Sequence, residues 1–349
     1  MMGWTDRHAR YFLRLITKHT LLYTEMVTTG AMLHNEQKVG EQKRFLDYHP
    51  AEHPLALQLG GSDPKALAQC TQMAADAGFD EVNLNVGCPS DRVKSGAFGA
   101  CLMAQPELVA DCISAMQAKV DIPVTVKCRI GIDDMEGYEA LENFVDTVAA
   151  TGCDTFIVHA RKAWLQGLSP KQNREIPPLR YDYVHRLKAE RPELTIVING
   201  GIKTIETVRE ELAHVDGVMI GREAYYNPYL LAPVDKDIYH DADAVIKTRE
   251  EIVDLICDYI DIEQSKGVVL HSITRHILGL YQGCRGAKAW RRHLSEHGHR
   301  EGADSSVVRE AMAKISQFQV SNAQVSNAQV SNGQGDRPSD DYSLESNAS

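Results

Sequence analysis

The chain has 349 residues, of which 43% are hydrophobic, and a net charge of -11. No apolar run nears the roughly 20 residues of a membrane span. Residues 1–10 lack the apolar stretch of a secretory signal, and the eight scattered cysteines contain no C-x-x-C pair. These features exclude a secreted disulfide scaffold and a cysteine zinc site, and they predict a cytoplasmic protein with reduced thiols, no resident metal and no membrane association.

In chain order, residues 1–6 read as a loop that leads into a helix. Seven short β-type runs follow, over residues 21–26, 55–60, 81–86, 122–128, 154–159, 194–199 and 216–220. Several are continuously apolar, as in strands covered on both faces. Helical patterns fill the gaps, over 64–77, 106–119, 137–151, 181–190 and 204–213. Strand–helix alternation of this length predicts a parallel sheet of the TIM (β/α)8 type. Seven strands are one short of a closed barrel, so the expectation is a barrel lacking its first strand ahead of Met1. Residues 1–233 form the expected barrel. After Pro233 only helical patterns occur, over 242–265, 269–280, 286–296 and 305–318, which predicts a helical domain at 234–318. The repetitive polar segment 319–349 cannot bury enough apolar area to order itself and is expected to be disordered.

Chemistry-bearing residues sit at the carboxyl ends of the strands, where barrel enzymes place their sites. Asn83-Leu84-Asn85-Val86-Gly87-Cys88-Pro89-Ser90 presents a thiol in a rigid turn. Residue type alone leaves two readings, a buried cysteine closing a strand or a thiol that donates a proton. Asn199-Gly200-Gly201 and Gly221-Arg222 end consecutive strands, and paired glycines there suit phosphate held by backbone N–H groups. Gln58, Lys127 and His159 add a polar ring at the same end. A ring of this kind fits a planar, phosphate-bearing cofactor, and no G-x-G-x-x-G sequence follows any strand to suggest a dinucleotide site. Residues 270–300 carry Arg275, Arg285, Lys288, Arg291, Arg292 and Arg300 against one acid, Glu296. That local cationic density suits phosphate whatever the global charge, although an ordinary basic helix face has the same composition.

Longer motifs carry a resemblance. Trp4-Thr5-Asp6-Arg7, Leu22 to Gly30, Asn83 to Arg92, Ile157 to Trp164, Asn173 to Leu179, Gln282-Gly283 and Trp290-Arg291-Arg292 resemble the A group of the tRNA-dihydrouridine synthase family, over nearly all of residues 3–318. The resemblance implies FMN as cofactor and NADPH as reductant. Its reaction is reduction of the uridine C5–C6 bond in the tRNA D-loop, at positions 20/20a, by a monomer. Carried over by motif, Cys88 is the proton donor. Met1, Gln58, Lys127, His159, Asn199, Gly200, Gly201, Gly221 and Arg222 are cofactor contacts. Asn85, Lys171, Arg174 and Arg291 fall at RNA-contacting positions, and Lys288 joins Arg291 on one helix face. The family's first strand, with a Pro-Met cofactor contact, is represented only by Met1, and the tail after Phe318 has no family counterpart. Two rival readings share these residues: a flavin enzyme for free pyrimidines of the dihydroorotate dehydrogenase type, and a tRNA-binding protein inactivated by the missing strand.

Overall fold

The computed structural model describes residues 1–33, 44–90 and 98–315. Residues 1–6 form turns, and α1 (Arg7–Ile16) starts at Asp6, whose carboxylate accepts from the backbone N–H groups of His8 and Ala9, both at 3.1 Å. The alternation then runs β1 (Leu22–Thr28), α2 (Thr29–Leu33), β2 (Leu55–Gly60), α3 (Pro64–Asp76), β3 (Glu81–Asn85), α4 (Pro106–Gln117), β4 (Val124–Arg129) and α5 (Glu139–Ala149). It continues with β5 (Thr155–His159), α6 (Tyr181–Glu190), β6 (Thr195–Asn199), α7 (Ile205–Leu212), β7 (Gly217–Met219) and α8 (Arg222–Tyr226). All seven expected strands form, and they pair in parallel in sequence order, with β1 and β7 as the edges.

Register makes the two faces of the sheet chemically different. Gln58 pairs with Asn83 and Asn83 with Thr125; Arg129 pairs with His159 and His159 with Asn199. The alternate residues Leu57, Leu59, Val82, Leu84, Val126, Cys128, Phe156, Val158, Ile196 and Ile198 are wholly buried. They share one hydrophobic cluster with Leu67, Cys70, Val109, Ile113, Leu141 and Val145 of the covering helices. The strands therefore alternate, apolar toward the helices and polar toward the interior, more than their overall hydrophobicity implies.

Beyond Pro233 only helices follow: α9 (Val234–Asp237), α10 (Arg249–Ser265), α11 (His271–Thr274), α12 (Ala287–His297) and a helix over 306–315. Two of the expected helices are shorter than their patterns. The pattern over 242–265 becomes helical only at Arg249, where Thr248 and Glu251 form a reciprocal capping box. The pattern over 269–280 yields only α11. The rest runs as turns against the barrel, where a Cβ on Gly279 would sit 2.5 Å from the carbonyl oxygen of Tyr226. The helical region is also tied to α1. Tyr11 stacks on Tyr259 at 3.9 Å, Arg7 pairs with Glu263, and the Asp235 carboxylate accepts from Thr17 Oγ1 and Lys18 N, both at 2.6 Å. No helix among the described residues is long and apolar enough to cross a membrane. The tail 319–349 and the part of the Asn83–Arg92 motif past Ser90 lie outside the described residues.

Candidate functional site

The carboxyl ends of β2 to β6 bring Gln58, Asn85, Lys127, His159 and Asn199 to one mouth. Just beyond β3 the chain turns through Gly87 and Cys88. Asn85 shapes that turn, since its Oδ1 accepts from the N–H groups of Gly87 and Cys88, each at 3.0 Å. The thiol points toward Ser90 Oγ at 3.5 Å and is only partly buried, so of the two readings the geometry favours a presented thiol. Asn85 Nδ2 donates to Gln58 Oε1 at 2.9 Å. Both RNA-contact and cofactor expectations thus fall on residues that also hold each other and the cysteine turn.

Lys127 Nζ donates to Asn199 Oδ1 at 3.0 Å, and Asn199 Nδ2 donates to the Met219 carbonyl at 2.8 Å. Burial, helped by neighbouring Arg129, lowers the Lys127 pKa to about 8. His159 is held neutral: burial pushes its pKa well below 6.5, and Arg129, Lys127, Arg161 and Arg174 push the same way. The glycine pair is required by shape as well as by backbone. Gly200 has φ +117° and Gly201 φ +77°, and a Cβ on Gly200 would strike the His159 ring at 2.5 Å. The neighbour that these glycines admit most closely is the His159 imidazole.

Cations converge beside this ring. Arg222 pairs with Glu175 at 2.9 Å, and burial together with Arg222 lowers the pKa of both Arg161 and Arg174. The Nε atoms of Arg161 and Arg174 are buried without a hydrogen-bond partner among the described residues. Buried guanidinium donors without a protein partner, with one exposed carboxylate facing them, fit an anion. That is the donor set a phosphate needs, and the flavin phosphate expected next to Gly221-Arg222 fits it. Met1 lies at the same mouth: its sulfur is 3.9 Å from where a Cβ on Gly221 would stand, and its ammonium donates to Thr5 Oγ1 at 2.6 Å. Burial lowers that amino group to about 6. A cleft of about 490 Å³ opens alongside, lined by Met2, Met26, Thr28, Gly60, Ser90 and Phe98 among others.

Lys171 is exposed at the start of a short turn, Gln172–Arg174, that sets Arg174 over the mouth. Lys288 and Arg291 lie on α12, with Lys288 exposed and Arg291 Nη1 donating to Gln282 Oε1 at 3.1 Å. Arg275, one of the cations counted in the basic patch over 270–300, pairs with Asp6, which also binds the buried His276 at 3.0 Å.

Sequence reasoning passed over Arg129. It is 3% exposed, and its guanidinium donates to the carbonyls of Gly87 at 2.8 Å, Asn173 at 3.1 Å and Lys162 at 3.2 Å. It therefore ties the cysteine turn to the loop after β5. Burial lowers its pKa to about 10, which leaves it charged at neutral pH. The signal was present: an arginine inside a strand is costly unless every donor is satisfied.

The family model described as dihydrouridine synthase (Dus) matches residues 1–317. A tRNA-dihydrouridine(20/20a) synthase of Vibrio parahaemolyticus serotype O3:K6 is 58% identical over 316 residues, covering 90% of this chain and 95% of the relative. Proteins with the same name from Shewanella oneidensis and Escherichia coli (strain K12) are 58% and 57% identical, covering 90% of this chain and 92% and 90% of theirs. Among solved structures, a 2-naphthoyl-CoA reductase in complex with 2-naphthoyl-CoA matches with a TM-score of 0.52 at 12% identity, over 67% of this chain and 47% of that one. That likeness concerns the fold alone.

Proposed function

Since the chain belongs to the dihydrouridine synthase family, we propose that it reduces uridine to dihydrouridine in tRNA, at the D-loop positions 20 and 20a, using FMN as the resident flavin and NADPH as reductant. The single observation that carries the reading is the meeting, at one barrel mouth, of a presented thiol with a cluster of cations whose buried donors have no protein partner. The flavin, when bound, supplies hydride to C6 of the uracil. The chain's own residues supply the rest. Arg161, Arg174 and Arg222 hold the phosphate with the Gly200-Gly201 and Gly221 backbone, and Gln58, Lys127, His159, Asn199 and Met1 line the ring site. Cys88 gives its thiol proton to C5.

As hydride reaches C6, negative charge builds toward C5 and O4 of the base. Lys127, mostly protonated at pH 7 with its pKa of about 8, supplies positive charge to stabilise it. Arg161 adds fixed charge, and neutral His159 can donate a hydrogen bond without competing for the proton. The target base must leave its stack to reach Cys88, at a cost of a few kcal/mol. Lys171 at the mouth and Lys288 and Arg291 on α12 meet the tRNA phosphates that repay it. The helical region 234–318 serves as the tRNA-binding domain, and the enzyme works as a cytoplasmic monomer.

The test is dihydrouridine formation in an unmodified tRNA transcript by flavin-loaded protein with NADPH, mapped by mass spectrometry. Product at positions 20 and 20a with none on free uridine is expected. Equal reduction of free pyrimidines, or a yellow protein that leaves tRNA unchanged, overturns the reading.

A further inference from the structure

The polar groups inside the barrel form one chain that runs from its amino end to Cys88. Tyr23 OH and Thr125 Oγ1 both donate to Glu81 Oε1, each at 2.6 Å. Thr125 Oγ1 accepts from Asn83 Nδ2 at 2.8 Å, and Asn83 Oδ1 accepts from Gln58 Nε2 at 2.9 Å. Gln58 Oε1 accepts from Asn85 Nδ2 at 2.9 Å, and Asn85 Oδ1 accepts from Gly87 N and Cys88 N. Asn83 and Thr125 are at most 1% exposed, and Glu81 is buried as well.

The direction of this chain is set from both ends. Backbone N–H groups can only donate, so Asn85 must turn its carbonyl oxygen toward Cys88. Its amide nitrogen then faces Gln58, and each later group is forced in turn. The sequence of donors must end on a pure acceptor, and Glu81 is that acceptor. Asn83 does not bond Glu81 directly: the Thr125 hydroxyl links them, accepting from the Asn83 amide and donating to the Glu81 carboxylate. Every amide is thus locked in one of its two flips, and reversing any one sets donor against donor.

We propose that Thr125 and Glu81 are positioning residues for the reaction: they fix the orientation of Asn83, Gln58 and Asn85 and through them the Cys88 turn. The proposal rests on the reading of Cys88 as proton donor. Neither residue touches the reacting atoms.

Thr125→Val keeps the volume and removes the hydroxyl, which cuts the chain between Glu81 and Asn83. Thr125→Ser keeps the hydroxyl. Three readouts are compared with the unmodified holoenzyme: kcat and KM for tRNA, the iodoacetamide alkylation rate of Cys88 measured by peptide mass spectrometry, and thermal unfolding. T125V should lower kcat about tenfold, the order expected when a reacting group is misplaced by a fraction of an ångström, with KM for tRNA within about twofold. Cys88 alkylation should change by about threefold or more, and T125S should restore both. Glu81→Leu removes the acceptor at the end of the chain and should shift Cys88 alkylation in the same direction as T125V, which keeps the comparison open if T125V folds poorly; E81Q retains an acceptor oxygen for Thr125 and should be less affected than E81L. Unchanged alkylation and kcat in T125V overturn the proposal. So does a T125S variant as impaired as T125V, or E81L alkylation unchanged from that of the unmodified protein. If the unmodified enzyme forms no dihydrouridine, the functional reading fails, and the alkylation rates still judge the relay.

Discussion

Arg129→Met removes a buried cation and leaves its carbonyl partners in place. Three of its bonds have good geometry, to Gly87 O at 2.8 Å, Asn173 O at 3.1 Å and Lys162 O at 3.2 Å; the fourth, to Arg161 O at 3.4 Å, is weak. A hydrogen bond from a charged donor contributes about 1.5–3 kcal/mol, and such terms are not additive. Methionine recovers part of the packing and avoids the cost of burying a charge, yet the buried Asn173 carbonyl and the partly buried Gly87 and Lys162 carbonyls lose their donor. The net loss should be about 4 kcal/mol, in the range seen when one side of a buried polar pair is removed. For a domain of this size, that is a fall in melting temperature of roughly 10 °C. Because the same guanidinium joins the cysteine turn to the loop carrying Asn173, dihydrouridine formation should fall about tenfold or more even well below the melting temperature. Arg129→Lys should lie between, since an ammonium cannot span Gly87 and Asn173 together. The assay is calorimetry beside single-turnover reduction of tRNA. A drop in melting temperature under about 3 °C with unchanged turnover would refute this account of Arg129.

Cys88→Ala should cut dihydrouridine formation by about 10²–10⁴-fold, as loss of a general acid does, while flavin reduction by NADPH, followed by rapid-mixing absorbance, stays as in the unmodified protein. Neutralising Lys288 and Arg291 together should weaken tRNA binding and lower the slope of log affinity against log salt by about 2, with NADPH oxidation unchanged; an unaltered slope, measured by fluorescence titration, removes α12 from the RNA path. His8 is buried against Tyr259, which its ring contacts at 2.7 Å, and burial lowers its pKa from 6.5 to about 4. The unfolded chain therefore binds a proton that the folded one refuses, so this stability is complete above pH 6.5 and is lost as pH falls toward 4, by about 3 kcal/mol at most. His8→Gln keeps a partner for Tyr259 without titrating and should flatten the urea-unfolding stability between pH 7 and pH 4.5; a parallel decline in both proteins would show that other groups dominate.

The barrel was legible in the sequence because alternation of strand and helix is a long-range signal that survives errors at individual ends. Strand limits shifted by at most two residues, as they do when hydrophobicity and not hydrogen bonding marks the boundary. The helical region was read less well. Gly279 and the capping box at Thr248 act through a close backbone approach and a local hydrogen bond, and apolar periodicity carries neither. In the site, residues at strand ends stood out individually, and Cys88, Lys127 and Asn199 do share one mouth. What could not be read was which side chains serve one another. Asn85 reads as a surface contact until its carbonyl oxygen is seen holding two backbone N–H groups. Glu81 reads as the solvated start of a strand until Tyr23 and Thr125 are seen donating to it.

The charge distribution shows why composition alone points the wrong way for this protein. A net charge of -11 disfavours a polyanion at long range. At physiological salt, however, interactions between exposed charges fade over about 8 Å, so a bound phosphate senses the nearest groups and not the sum. At the mouth those groups are Lys127, Arg129, Arg161, Arg174 and Arg222, with Glu175 as the carboxylate paired among them. Their crowding is unfavourable by itself, which is why burial and mutual repulsion lower the pKa values of Arg129, Arg161 and Arg174 together. A protein keeps such strain where a ligand relieves it. An anion seated between Arg161 and Arg174 would satisfy both unmatched Nε donors and offset the repulsion at once, so stability and cofactor retention should be coupled through these arginines.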